Sequence, residues 1–533
     1  MRARLLLTLS LFLSAAFVTV PRESELRLCL HAEPRTFDPL MVEDESSEAV
    51  KYLTSGVLVR LNRSTEEPEP ELALSWKISE KGRRIDFKLR HDVRFSDGTP
   101  FTSADVAWTI HRAMDPALHS PIGDAFRTGT GDVETTLHGL DGITIRFPAP
   151  VAGLPAQFDT LPILSAISPA TEKAVLGPFF MADYKPGNYV LLRRNPNYWK
   201  RDEAGRTLPY LSAVRLMIQQ NRDLELRHFE HGEIDLIGKL DPELFDRLRA
   251  QNPAEVRDAG PGLDVLALWF NQNPAAPLPA WKKQWFASAA FRRAISMTIN
   301  RDDLCRIVWR GHAQPALSLV SPANRTWFDA RLKPEPTSPN QALALLEKNG
   351  FHLNGSALFD NDGHVVEFSL VTNSGNVLNE RTLAMLRQDL AKIGIAVNTV
   401  TLDFPSLIER ITRSFSYEGC LLSMLPELDP VDHMNTWLSS ADTHPWNPRE
   451  KAPATKWETD IDRLMREQAS TSDIHQRKAA YDRVQEIAHD EAPLIFLVHP
   501  NVLVAVGPRI QNAAPAILRP QIFWNAERLD VTP

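Results

Sequence analysis

The sequence predicts an α/β fold built from more than one lobe, and three observations carry that expectation. At 533 residues the chain exceeds what one hydrophobic core organises, so two or three domains are expected. From Ser338 to His489, strand and helix patterns alternate in βαβα order, which predicts a mostly parallel sheet. The run Val265–Phe270 is apolar without interruption and ends in Asn271 and Asn273. Such a run suits a strand buried on both faces, hence a parallel sheet with helices on each side.

Arg2 and Arg4 precede the apolar run Leu5–Leu13 and the small residues Ser14, Ala15 and Ala16, the pattern of an export signal over residues 1–16 with cleavage after Ala16. A later cleavage, near residue 22, and an uncleaved anchor are the alternatives. The apolar stretch to Val20 is about 16 residues against the roughly 20 that a spanning helix needs. No Cys follows it, so a lipid-anchored protein is not expected. Leu26–His31 reads as the first strand, and Ser46–Leu61 as a helix leading into a short strand. Ile85, Phe87 and Leu89 alternate with Asp86, Lys88 and Arg90, the two-residue period of a half-buried strand. Asp97 and Gly98 make a tight turn. Thr102 caps a helix, with Asp105 three residues on, and Val106, Ile110 and Ala113 form its apolar stripe.

Beyond Pro169 the chain reads as strands at Tyr189–Arg193 and Val214–Ile218 and a helix at Asp223–Phe229. Asp241 and Pro242 open another helix. Phe291, Ala294, Ile295 and Ile299 line a core helix, beside which Arg292 and Arg293 read as structural ion pairs. Ser338 and Pro339 start a helix that stops at Gly350. Strands at Val366–Val371, Ile395–Leu402 and Tyr417–Met424 alternate with helices at Leu383–Ile393 and Ser406–Arg413. Helices at Trp457–Met465 and Ile474–His489 precede the apolar strand Pro493–Val498.

The formal charge of −8 and the lack of a Lys/Arg run argue against a nucleic-acid partner. Cys29, Cys305 and Cys420 are far apart and in no metal-binding spacing, so they read as small buried apolar residues, with one disulfide as the alternative. His228, Glu230, His231 and Glu233 have the wrong order for a zincin motif. No hydrolase, kinase, P-loop or dinucleotide motif has a credible context, and neither a metal nor another cofactor is expected.

Two stretches are more specific. Val93-Arg94-Phe95-Ser96-Asp97-Gly98-Thr99-Pro100-Phe101-Thr102-Ser103-Ala104-Asp105-Val106, preceded by Phe87–Arg90 and followed by Arg112, is one. Gly177-Pro178, Pro186-Gly187 and Arg194-Asn195-Pro196-Asn197-Tyr198-Trp199 form the other. Together they resemble the family 5 extracellular solute-binding proteins, the oligopeptide and dipeptide receptors of bacterial ABC importers.

The resemblance implies a periplasmic binding protein type II-like fold, with two mixed α/β lobes, a hinge and an inserted subdomain. The expected division is a composite lobe from 24–57, 176–262 and 493–533, an insertion at 58–175, and a second lobe at 263–492. It also implies a periplasmic, monomeric receptor that catalyses nothing. Such a receptor closes on a peptide or similar organic solute and delivers it to the membrane subunits of an ABC importer. An extracellular hydrolase and a sensor for a membrane signalling partner are the alternatives. The family's Glu-Pro-x-x-Leu-Asp-Pro loop corresponds to Glu33–Pro39, which makes Glu33 a ligand candidate. Trp269, Asn271 and Asn273 end a strand at the interlobe edge. The Asp that pairs with a peptide's amino group in the family falls on Pro426 here, so Glu427 and Asp429 become the candidates for that charge. Met424 and Trp437 are candidates for the apolar wall.

Overall fold

The computed structural model describes residues 24–126, 131–168 and 174–532. The expected export signal lies outside the described residues.

Among the described residues, twelve strands join into one mixed sheet. Its second-half portion runs Ala396–Leu402, Glu367–Asn373, Gly419–Met424, Val265–Phe270 and Leu494–Val506. From there the first-half portion continues through Leu236–Ile237, Glu25–Leu30, Ala213–Ile218, Tyr189–Arg194 and Phe179–Lys185. The 13-residue strand Leu494–Val506 is the seam. Its residues Leu494–Val498 pair with Leu266–Trp269, and its residues Asn501–Val506 pair with Val256–Pro261 and Leu236–Ile237.

The expectation of a mostly parallel sheet around Val265–Phe270 is corrected. That strand is antiparallel to both neighbours, Gly419–Met424 and Leu494–Val506. Parallel pairing is confined to Glu367–Asn373 with its two partners, and to Glu25–Leu30 with Ala213–Ile218 and Leu236–Ile237. All six residues of Val265–Phe270 are buried, as the apolar run requires. Burial on both faces removes the need for polar alternation whichever way the neighbours run. Val265, Ala267 and Trp269 enter one core, with helices Lys456–Ala469 and Ile474–Glu491. Leu266, Leu268 and Phe270 enter the opposite core, with helices Ala289–Thr298 and Val377–Ala391. Gly419 sits where the backbones crowd: a Cβ there would lie 2.5 Å from a Leu370 methyl.

Two further cores cover the faces of the first-half sheet. A separate antiparallel sheet of Ala73–Ser79, Arg84–Leu89, Gly142–Arg146 and Glu134–Leu137 has its own core. Ile85, Phe87 and Leu89 point into it, as their alternation requires. Gly98 adopts φ +89° in the turn that follows. In the capping box of helix Ser103–Met114, Asp105 accepts from the Thr102 backbone N–H (2.8 Å) and hydroxyl (3.0 Å). The other oxygen of Asp105 accepts from the Ala166 N–H, tying a distant loop to the helix start.

The two arginines of helix Ala289–Thr298 divide. Arg293 forms the expected ion pair, with Glu335. Arg292 is 1% exposed and donates instead to the carbonyls of Phe286, Glu491 and Ala492, satisfying the end of helix Ile474–Glu491. The expected helix at Ser406–Arg413 begins at Phe404 and loosens into a π turn over Arg410–Ser414. Cys29, Cys305 and Cys420 are buried thiols.

Candidate functional site

The site is assembled around the loop that leaves strand Gly419–Met424. Met424 closes the ladder opposite Val265. Leu425–Asp429 then leads into the turn Pro430–His433 and helix Met434–Trp437. The loop is fastened from beneath. Asn324 donates to the Leu428 carbonyl at 2.8 Å. His433, 2% exposed, donates from Nε2 to the Glu427 carbonyl at 2.8 Å, so its Nδ1 accepts from the Tyr481 hydroxyl. Burial holds that imidazole below its usual pKa. Asp429 accepts from the Val431 N–H at 2.9 Å and is ion-paired with the buried Arg477, whose guanidinium lies over the Trp327 ring at 4.7 Å.

These anchors leave Leu425, Glu427 and Asp432 turned outward. Leu425 is 55% exposed. Glu427 is an exposed carboxylate whose one cationic partner among the described residues, Arg519, stands 3.5 Å away. Asp432 makes no side-chain hydrogen bond among the described residues. Asp432 is exposed, though protein atoms crowd its carboxyl. That partial desolvation, reinforced by the charges of Asp429 and Glu427, raises it to about 7.

Two other parts of the chain face this loop. Arg519, from the C-terminal segment, also binds Asp264 at 2.9 Å, and its carbonyl accepts from Arg63. Gly153, in the stretch that follows the four-stranded sheet, has φ +77° and approaches Asp429 so closely that a Cβ would lie 3.2 Å from Oδ2. The loop therefore carries three carboxylates, Glu427, Asp429 and Asp432, against two guanidiniums, Arg477 and Arg519, a net negative charge. Among the described residues of this loop, uncompensated carboxylate charge of this kind favours a cationic group over an anionic one.

The residues singled out from sequence fall in different places. Glu427 is exposed on the loop, and Asp429 is taken by Arg477. Met424 is half-buried at the strand end that leads into the loop. Trp269 and Trp437 are 3% and 1% exposed and pack in the core beneath the loop. Asn271 donates to the carbonyls of Phe415 and Tyr417, both at 2.8 Å, and accepts from the Asn273 N–H at 3.1 Å. Asn273 accepts from the Ala275 N–H. Both side chains stitch backbone to backbone. Glu33 accepts from the Tyr184 hydroxyl and the Gly187 N–H, away from the loop. Sequence reasoning missed Asp432, Arg519 and Gly153. Only the run Asp429-Pro430-Val431-Asp432 hinted at the first, and nothing local marks the other two.

The comparisons with known proteins agree with this architecture. The family model for bacterial extracellular solute-binding proteins, family 5, matches residues 67–445, more than two thirds of the chain. A probable ABC transporter-binding protein of Deinococcus radiodurans is 26% identical over 69% of this chain and 67% of its own. Di/tripeptide-binding protein 2 of Pseudomonas aeruginosa is 25% identical over 93% of each chain. The crystal structure of the ABC transporter substrate-binding protein CtaP from Listeria monocytogenes superposes with a TM-score of 0.80 at 20% identity, covering 96% of this chain and all of that one. Among the described residues no helix is long and apolar enough to cross a membrane. This chain belongs to the bacterial extracellular solute-binding proteins of family 5, and its role is that of a solute-binding receptor.

Proposed function

We propose that the protein is exported by its N-terminal signal, is not lipid-anchored, and captures a peptide or similar organic solute for an ABC importer without transforming it. The solute's cationic end meets Glu427 and Asp432, and its body lies along Leu425 and Met424 towards Gly153 and Arg519. The lobes are those expected from sequence except at the second crossing. The expected division returns Leu494–Val498 to the first lobe, but this segment pairs with Leu266–Trp269 of the second, so that crossing is placed after Val498 rather than near 493. The change of partners between Val498 and Asn501 supports a crossing at the end of the 494–498 segment. Capture works by population shift: a solute held better by the closed form favours it, and the importer reads that form.

The observation that carries this reading is the meeting at one loop, Leu425–Asp432, of two distant parts of the chain, Gly153 against Asp429 and Arg519 against Glu427. The likeness to a protein named for di- and tripeptides supports an amino-bearing solute. Native mass spectrometry of the purified protein, followed by calorimetric titration with di- and tripeptides, tests it. Glu427→Gln and Asp432→Asn should each weaken binding about tenfold or more, the usual cost of unpairing a charge, with little change in thermal midpoint. Turnover of peptides or esters that vanished on changing a single His would establish a hydrolase and overturn the reading.

A further inference from the structure

A second cluster lies in the segment that follows helix Met434–Trp437. One ring nitrogen of His444 and one carboxylate oxygen each from Glu450 and Glu458 lie within 4.8 Å of one another. His444 is 0% exposed and Glu458 4%, while Glu450 is half-buried. Nδ1 of His444 is 3.0 Å from the Thr436 carbonyl, which can only accept. The ring proton therefore sits on Nδ1, and Nε2 keeps a bare lone pair. Neither that nitrogen nor Glu450 Oε2 has a hydrogen-bond partner among the described residues.

Glu458 is held in place by its own donors: the Thr455 N–H and hydroxyl, both 2.8 Å from Oε2, and the Trp446 indole N–H, 2.9 Å from Oε1. The negative charges of Glu458 and Asp462 act on Glu450, which also accepts from the Asn447 side chain and the Ala454 backbone N–H. Asp462 is already engaged by Ser439 and Arg466. The cluster thus joins a buried imidazole nitrogen without a partner to two carboxylates, one of which also carries an oxygen without a partner, among the described residues.

We propose that His444, Glu450 and Glu458 bind a divalent transition-metal ion of the zinc class as a structural staple. One neutral imidazole and two carboxylates form a nitrogen–oxygen donor set suited to Zn²⁺ or Mn²⁺, and the two negative charges neutralise the ion. The Thr436 carbonyl on Nδ1 is the outer contact that orients metal-binding imidazoles, and the Thr455 and Trp446 donors orient Glu458 in the same way. Bound there, the ion would tie the 438–455 segment to the first turn of helix Lys456–Ala469. The proposal does not depend on the solute's identity.

The full chain is stripped with EDTA, loaded with ZnCl₂ or MnCl₂, passed through gel filtration and measured for metal content and thermal midpoint. One equivalent of metal should remain per chain, with a raised midpoint that EDTA reverses. Glu450→Gln, which preserves shape at a half-buried position, should lower zinc affinity at least tenfold in competition with a chelating dye, and His444→Gln should do the same. Solute affinity should be unchanged in Glu450→Gln. If His444→Gln does not fold, Glu450→Gln decides alone. A chain that retains neither metal, or variants that retain it as well as the parent, would overturn the proposal, the second outcome placing the ion elsewhere.

Discussion

Asn271 is the position where a binding role and a structural role make opposite predictions. Its amide holds three backbone groups: the carbonyls of Phe415 and Tyr417 and the N–H of Asn273. The residue is 1% exposed, so water cannot replace these bonds in Asn271→Ala. Each lost bond costs about 1 kcal/mol, and a buried group left unpaired costs more, so the sum is about 3 kcal/mol or above. For a cooperative unit of roughly 200 residues, that lowers the thermal midpoint by about 6–12 °C. Scanning calorimetry of the ligand-free protein reads the shift, and titration below the transition reads affinity. The expected result is a large drop in midpoint with solute affinity within about twofold of the parent. A variant that melts like the parent but no longer binds would refute the reasoning and return Asn271 to the ligand.

Three further predictions follow from the same reading of burial and charge. Asp432 is raised to about 7, so at pH 6.5 an amino-bearing solute should drive a proton off it. Titrations in buffers of different ionisation heat should show that release, and Asp432→Asn should abolish it. Buried His499, held near 4 against an ordinary 6.5, stays neutral in the fold while the unfolded chain protonates. Its folded pKa is the lower one, so stability is intact above pH 6.5 and falls between 6.5 and 4 by about 3 kcal/mol, at 1.36 kcal/mol per pH unit. Urea midpoints across that range should show the loss, and His499→Gln should flatten the slope. Burial pushes the thiols of Cys29 and Cys305 up to about 12 and also raises Cys420. A disulfide reagent should therefore find almost no reactive thiol in the native protein and three after denaturation.

What could be read from sequence was whatever depends on near neighbours. The alternation at Ile85–Arg90 and the six-residue apolar run at Val265–Phe270 placed strands and their burial correctly, because side-chain period and water exposure are local matters. Asp105, three residues from Thr102, made its cap for the same reason. The two motif stretches pointed to the family that the whole-chain comparisons then showed.

Only the tertiary structure decided strand direction and the partners of charged groups. An apolar run is the same whether its neighbours are parallel or antiparallel, so the run at Val265 could not reveal two antiparallel partners. Asp429 looked as free as Glu427 on the page, but Arg477, 48 residues away, takes it, while Glu427 keeps only a long contact with Arg519. Glu33 is likewise claimed by Tyr184, 151 residues on. A carboxylate's availability depends on which cations and hydroxyls the fold brings within about 3 Å. That distance is set by how the sheets and helices pack, which no local window of sequence contains.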